Sequence, residues 1–288
     1  MAGTLSGEQI RQFHRDGVLT VGDAVEPGLL TRLREEFSVW VEQSRARDAP
    51  YGTTIDGRPR FDLEPGHCRE RPALRRVNAP ADISAPFLEA VVNSRVADMV
   101  ADLIGPDVRH HHNKINSKLP GSATQVKWHQ DFPYTPHSNA DLVTALLMLD
   151  DVTPENGALE VSPGSHRGPI LDLWHDDVFT GAVSDDVAAE LRKSAIRCCG
   201  TAGSVCLMHT LVAHGSAPNL ADAPRTLFIA VYSAADAVPL CPSPVPSRHQ
   251  GLLVRGVEPH RVRSSEFRLR PAEFPKGASF FSQQARPG

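Results

Sequence analysis

The residues best suited to chemistry in this chain are His129 and Asp131, separated by Gln130, with His214 and Arg225 following much later. Two imidazoles and a carboxylate hold a divalent iron on one face of its octahedron and leave three coordination positions open. A 2-oxoglutarate molecule would fill two of those positions through its keto acid end, and dioxygen the third. Arg225 would then grip the far carboxylate through paired charge-assisted hydrogen bonds.

Such a set needs elements that bring it together. In an extended strand alternate side chains share a face, so a strand through residues 129–131 turns His129 and Asp131 to one side and Gln130 to the other. His214 has to arrive from a distant segment, and a jelly roll, which sets remote strands opposite one another across a cavity, does this. His209, on the same run but at an odd offset from His214, falls on the opposite face and is the weaker candidate ligand. In His110-His111-His112, strand alternation puts only His110 and His112 on one face, which makes a poor metal tract without a carboxylate.

Around these residues the chain reads as helices first and strands afterwards. Ser6 and Gln9 form a capping-box pattern for a helix that stops at Gly17, and a short strand follows at Val18 to Val21. Pro27 starts a second helix, with Leu29, Leu30, Leu33, Phe37 and Val41 at helical spacing, running to about Arg47. Helical spacing resumes from Phe87 to Leu103 and ends at Gly105-Pro106. Short β-rich runs then cover Val108 to Leu119, Thr124 to Trp128, Leu142 to Leu149, Ala158 to Ser162, Ile196 to Cys199, Ser204 to His209 and Thr226 to Ser233. A helical insertion at Ser184 to Ser194 interrupts them. This order predicts an α+β chain, with a cupin-like jelly-roll core and the N-terminal helices packed on one face.

Two stretches lack a period. Residues 48–82, rich in Pro, Gly, Arg and Asp, read as an irregular loop or lid, with Tyr51, Arg58, Arg60, Arg75 and Arg76 as candidate substrate contacts. Residues 239–288 hold eight of the 24 prolines and read as an irregular surface tail.

At 288 residues and 41% hydrophobic, the chain has the material for one sizeable core, and a single domain over 1–288 is expected. A net charge of -4 without a basic block argues against nucleic acid or a membrane surface as partner and leaves a small molecule as the expected one. No apolar stretch reaches signal-peptide or membrane-spanning length, so a cytoplasmic location is expected. The cysteines Cys68, Cys198, Cys199, Cys206 and Cys241 contain no C-x-x-C pair and predict reduced thiols.

Trp128-His129-Gln130-Asp131-Phe132, Pro154-Glu155-Asn156-Gly157-Ala158-Leu159, Pro163-Gly164-Ser165-His166, His214-Gly215-Ser216-Ala217-Pro218-Asn219 and Arg225, in that order, resemble the phytanoyl-CoA dioxygenase family of non-haem iron oxygenases. The resemblance implies a double-stranded β-helix, Fe(II), 2-oxoglutarate and dioxygen as cofactors, a metal triad of His129, Asp131 and His214, and Arg225 as anchor of the cosubstrate. It also implies cosubstrate contacts from Ser216, Asn116 and Lys118, to which Thr144 on a neighbouring strand adds a hydroxyl. His112 falls where related ectoine enzymes face substrate, and Phe132, Tyr134 and His166 are further candidate substrate contacts. A carboxylate at position 131, where halogenating members carry a small residue, implies hydroxylation, desaturation or a related oxidation.

The implied activity is hydroxylation of an unactivated C–H bond of a small polar metabolite, amino acid derivative or natural-product intermediate, with 2-oxoglutarate decarboxylated to succinate. A fatty acyl-CoA hydroxylase of the same family, a cupin-like hydrolase or isomerase using zinc or manganese, and a non-catalytic binding barrel are the rival readings.

Overall fold

The computed structural model describes residues 3–120, 123–273 and 284. In chain order the elements are α1 (Gly7–Asp16), β1 (Val18–Val21), α2 (Pro27–Ser44), β2 (Tyr51–Thr53), β3 (Pro59–Leu63), β4 (Leu74–Asn78), α3 (Ala85–Val92), α4 (Arg95–Ile104), β5 (Val108–Lys118), β6 (Val126–His129), β7 (Leu142–Met148) and β8 (Leu159–Val161). They continue with β9 (Trp174–His175), β10 (Val178–Phe179), α5 (Asp185–Arg192), β11 (Ile196–Cys198), β12 (Val205–His209), β13 (His214–Ser216), β14 (Arg225–Ala234) and β15 (Leu253–Arg255).

Among the described residues a large antiparallel sheet runs β1-β12-β7-β14-β5-β4-β3-β2, with β15 also on β5, and a small one runs β11-β8-β13-β6. Two sheets with a helical layer outside the larger one give the jelly-roll α+β architecture expected from the order of the patterns. On the helical side, Leu33 and Trp40 of α2, Phe87 of α3 and Met99 of α4 pack against Ala145, Phe228, Ala230 and Tyr232. Phe87 bridges the layers, stacked on Trp40 at 5.4 Å and edge-on to Phe228 at 4.9 Å between ring centroids. Residues one step out of phase, Leu146, Leu227 and Ile229, face the small sheet and meet Leu159 and Val161 of β8.

The predicted N-terminal cap is present: Gln9 N–H donates to Ser6 Oγ at 3.2 Å and Ser6 N–H donates to Gln9 Oε1 at 2.8 Å. At its other end α1 stops at Gly17, φ +76°, where a Cβ would stand 2.3 Å from Val212 Cγ2. Three carbonyls there are claimed by later parts of the chain. The backbone N–H groups of Gly164 and His209 bond to the carbonyls of Asp16 and Gly17 at 2.8 and 2.9 Å, and His166 Nε2 lies 3.2 Å from the carbonyl of His14.

Three expectations need correction. Residues 48–82 are not an irregular loop, because β2, β3 and β4 extend the large sheet from β5. Their alternation was masked because the inward positions include charged residues: Arg60, Asp62 and Arg76 are buried, and Arg75 Nε pairs with Asp62 at 2.7 Å. The tail is anchored as well. Leu253 of β15 pairs with Arg109 of β5, and Arg255 Nε donates to Asp98 at 2.6 Å, while residues 274–283 and 285–288 lie outside the described residues.

The third correction concerns the histidine tract. Val231 pairs with His112 but Tyr232 pairs with His110, so His111 is the extra residue of a β-bulge. The bulge shifts the phase of β5, and His110 packs beside Tyr232 of the helix-facing core while His112 lines the cavity. Helical spacing from Phe87 to Leu103 is also divided, at Asn93 and Ser94, into α3 and α4. No helix among the described residues is long and apolar enough to cross a membrane.

Candidate active site

His129 closes β6, and its register partner across the small sheet is His214, the first residue of β13. The two imidazoles lie 4.2 Å apart between ring centroids. Asp131 follows in helical geometry, φ -75° and ψ -30°, so its convergence on His129 comes from a turn after the strand and not from strand alternation. Two bonds to one carbonyl set that turn, from the N–H groups of Asp131 and Phe132 to the oxygen of Thr210, at 3.1 and 3.0 Å. Gln130 points away and fastens the neighbouring loops: its Oε1 accepts from Leu171 N–H at 2.7 Å and its Nε2 donates to the Leu211 carbonyl at 2.8 Å.

Asp131 Oδ1 stands 3.6 Å from His129 Nε2 and 3.7 Å from His214 Nε2. On the far side of each ring, His129 Nδ1 lies 2.8 Å from the Lys127 carbonyl and His214 Nδ1 lies 3.0 Å from that of Val212. A carbonyl only accepts, so each Nδ1 carries the proton and each Nε2 presents a lone pair to the space beside Asp131. Two neutral imidazole nitrogens and one carboxylate oxygen around a common point form the donor set that Fe(II) takes, with the outer hydrogen bonds that fix ligand orientation. Burial works to raise the Asp131 carboxyl, but His214, His129 and Lys114 together outweigh it and hold the group below the usual carboxylate range.

One end of the adjoining cavity is cationic. Arg225 opens β14 and is the register partner of Lys118, the last residue of β5. Arg225 Nε and Nη2 both donate to the Gly157 carbonyl, at 3.1 and 2.9 Å. Gly157 has φ +81°, and a Cβ there would meet the Ala217 carbonyl at 2.7 Å, so the turn that presents this carbonyl requires glycine. Lys118 Nζ donates to Ser216 Oγ at 2.7 Å and to the Ala217 carbonyl. Burial brings Arg225 down to about 10; burial and the Arg225 charge bring Lys118 down to about 6, against the pull of Glu64 and Glu160. Neither cation has an ion-pair partner among the described residues. Asn116, between them and the metal face, has a buried Oδ1 without a hydrogen-bond partner. The buried Arg225 guanidinium, with the Lys118 amine that a carboxylate would hold protonated, fits the distal carboxylate of 2-oxoglutarate, whereas the free Asn116 oxygen is an acceptor and suits a donor.

Of the residues named from sequence, His129, Asp131, His214, Arg225, Ser216, Asn116, Lys118, Thr144, His112 and Tyr134 all line this cavity. The Thr144 hydroxyl donates to Asp131 Oδ2 at 2.9 Å, which makes that carboxylate its partner here. Tyr134 has its ring 5.9 Å from that of His129 and its hydroxyl on the Gly181 carbonyl at 2.9 Å.

The structure does not bring Phe132 or His166 to the cavity. Phe132 is buried against Phe267, and His166 packs between the end of α1 and His209, because the turn before it folds back over the helix. Of the five candidates in 48–82, Arg58 and Arg76 reach the cavity. Arg60 instead donates to the carbonyls of Asn78, Ala79 and Thr53, and Tyr51 stacks on Phe61.

Lys114 was missed as a site residue, although the signal was legible. Strand alternation counted back from Lys118 and Asn116 places Lys114 on their face, beside His112. Burial and the nearby Arg76 bring its ammonium down to about 8, with Asp131 acting in the opposite sense.

The sequence profile of the phytanoyl-CoA dioxygenase family matches residues 13–227. The chain is 33% identical over 189 residues to a probable alpha-ketoglutarate-dependent hypophosphite dioxygenase of Stutzerimonas stutzeri, a match over 64% of this chain and 65% of that protein. It therefore spans just under two thirds of that relative. It is 28% identical over 251 residues to the L-proline trans-4-hydroxylase of Streptomyces griseoviridis, covering 80% of this chain and 87% of that one. A crystal structure of EctD from S. alaskensis with bound Fe superimposes with a TM-score of 0.66 at 24% identity, over 91% of this chain and 87% of the other, and shows the shared fold.

Proposed function

The chain belongs to the phytanoyl-CoA dioxygenase family and is an Fe(II)- and 2-oxoglutarate-dependent dioxygenase, and from that premise we propose that it hydroxylates an unactivated C–H bond of a small polar metabolite, amino acid derivative or natural-product intermediate. The observation that carries this reading is the cavity itself. A two-histidine, one-carboxylate donor set lies in a cavity that Arg225, Lys118 and Asn116 line from the facing sheet.

In this reading His129, Asp131 and His214 hold the iron, and the Lys127 and Val212 carbonyls keep both imidazoles in the ligating tautomer. Arg225 and Lys118 hold the distal carboxylate of the cosubstrate, Ser216 steadies the Lys118 ammonium, and Asn116, which lines the same cavity, turns its amide N–H to the cosubstrate. Bound together, Fe(II) and 2-oxoglutarate would activate dioxygen, the oxidant: two electrons come from 2-oxoglutarate as it loses carbon dioxide and two from the substrate C–H bond, one oxygen atom ending in succinate and the other in the substrate hydroxyl. Leu146, Leu227 and Ile229 keep bulk water from that space, and His112 and Tyr134 face whatever occupies it.

The cationic groups that the cosubstrate leaves over, Lys114 and Arg76, favour a small polar substrate over a fatty acyl chain. The enzyme class replaces the hydrolase reading, in which Arg225, Ser216 and Asn116 had no task. Anaerobic addition of Fe(II) and 2-oxoglutarate should give the visible metal-to-ligand charge-transfer band of a chelated keto acid. A metabolite library screened for stimulated succinate release then finds the substrate. A protein that binds Fe(II) but forms no such band does not have this function.

A further inference from the structure

We infer that the cavity has a second anion-binding end, made by Lys114 and Arg76, and that it receives an anionic group of the substrate, a carboxylate or a phosphorus oxyanion. This rests on the reading above that the Lys118 and Arg225 end takes the cosubstrate.

Lys114 precedes Lys118 by four residues on the same face of β5, which separates them by roughly 13 Å along the strand. The two carboxylates of 2-oxoglutarate are joined through three carbon atoms, and one of them must lie at the metal. A single cosubstrate therefore cannot serve both cationic ends.

The second end is built across two strands. Arg76 of β4 pairs in register with Asn116, midway between Lys114 and Lys118, and of these two ammonium groups it is that of Lys114 on which its charge acts. Arg76 is buried and its Nε donates to Asn78 Oδ1 at 2.8 Å, which fixes the guanidinium beside the cavity. Lys114 is partly buried and lines the cavity, and its ammonium makes no hydrogen bond or ion pair among the described residues. A desolvated ammonium beside a guanidinium is costly unless a ligand supplies the counter-charge.

Charge balance points the same way. Asp131 is the one carboxylate lining the cavity among the described residues, and the metal engages it. Arg58 is paired with Asp56 at 2.6 Å. With Fe(II), Asp131 and both carboxylates of the cosubstrate in place, Lys114 and Arg225 already leave an excess of positive charge, to which Arg76, facing Asp62 as well, adds. A neutral or cationic substrate would leave that excess uncompensated in a water-poor site, whereas an anionic one reduces it.

The test uses the full chain loaded anaerobically with Fe(II) and 2-oxoglutarate, titrated calorimetrically with acetate, hypophosphite and, as the neutral counterpart, acetamide. Acetate or hypophosphite should bind saturably at millimolar concentration and acetamide should not; which of the two anions binds tighter separates a carboxylate site from a phosphorus oxyanion site. K114M should weaken that binding on the order of 30-fold or more, and K114R should retain it. Both variants should keep the charge-transfer band and the 2-oxoglutarate affinity, which also shows that they fold. Absence of saturable anion binding in the wild type, equal binding of acetamide, or unchanged anion binding in K114M overturns the inference. If the band fails to form in the wild type, the functional reading falls first and this inference with it.

Discussion

The Thr144 hydroxyl lies 2.9 Å from Asp131 Oδ2, while Oδ1 of the same carboxylate faces the Nε2 atoms of His129 and His214 at 3.6 and 3.7 Å. One oxygen is thus steered by a strand of the large sheet so that the other meets a pair of ligands from the small one. Thr144→Val keeps the shape and removes the donor. Iron affinity, measured by competition with a chelator, should fall about 10- to 100-fold, and Thr144→Ser should restore most of it. Unchanged affinity in the valine variant would show that the two imidazoles orient the carboxylate without help.

Arg225 should matter to the cosubstrate far more than to the metal. Arg225→Ala removes one member of a desolvated charge pair, which costs about 2 to 5 kcal/mol, or roughly 30- to several thousand-fold in 2-oxoglutarate binding. Iron content should stay that of the wild type. Full turnover at unchanged cosubstrate concentration would remove Arg225 from its assigned place.

Gly157 should be as sensitive as the arginine it serves. An alanine there combines a left-handed backbone, φ +81°, with a 2.7 Å approach to the Ala217 carbonyl. Gly157→Ala should cost about 1 to 3 kcal/mol in urea denaturation and also weaken 2-oxoglutarate binding by displacing the carbonyl under Arg225. A variant that is less stable yet binds the cosubstrate normally would separate the turn from the anchor.

Acid should destabilise the metal-free protein before its carboxylates titrate. Burial holds His110 down to about 4, against the His249 carbonyl, which acts in the raising direction. Above its ordinary value of 6.5 the ring is neutral in both folded and unfolded chains, and it contributes no pH dependence. As the pH drops from about 6.5 towards about 4, the unfolded chain takes up a proton that the folded chain refuses. Stability therefore falls by roughly 1.4 kcal/mol per pH unit for this group. The urea midpoint across that window should fall less steeply in His110→Gln, and an identical slope would count against burial as the cause.

How much of this was legible depends on which residues carry the pattern. β7, β12 and β14 and the N-terminal helices were readable because their apolar residues repeat or run together, whereas β9, β10, β13 and β15, two or three residues each, are too short to show a period. β3 and β4 were not readable, because Arg60, Asp62 and Arg76 occupy buried positions where the reading expects apolar side chains. The same cause hid part of the site, since a buried arginine that lines a cavity looks, in sequence, like a solvated one. Phe132 and His166 were placed by nearness in sequence to the ligands and the family turn, but nearness says nothing about direction once a chain leaves its strand. The bulge at His111 was invisible for a related reason: one unpaired residue reverses every later face without changing composition.

The clasp at the end of α1 carries a consequence for how the protein is made. The carbonyls of His14, Asp16 and Gly17 find their partners in His166, Gly164 and His209, and Gly17 itself abuts Val212, whose own carbonyl steadies the ring of His214. A ribosome delivers that first helix long before any of those partners exists. The helix can therefore be fully clasped only after the chain has been made as far as Val212, and an earlier-made segment becomes the latch behind His214.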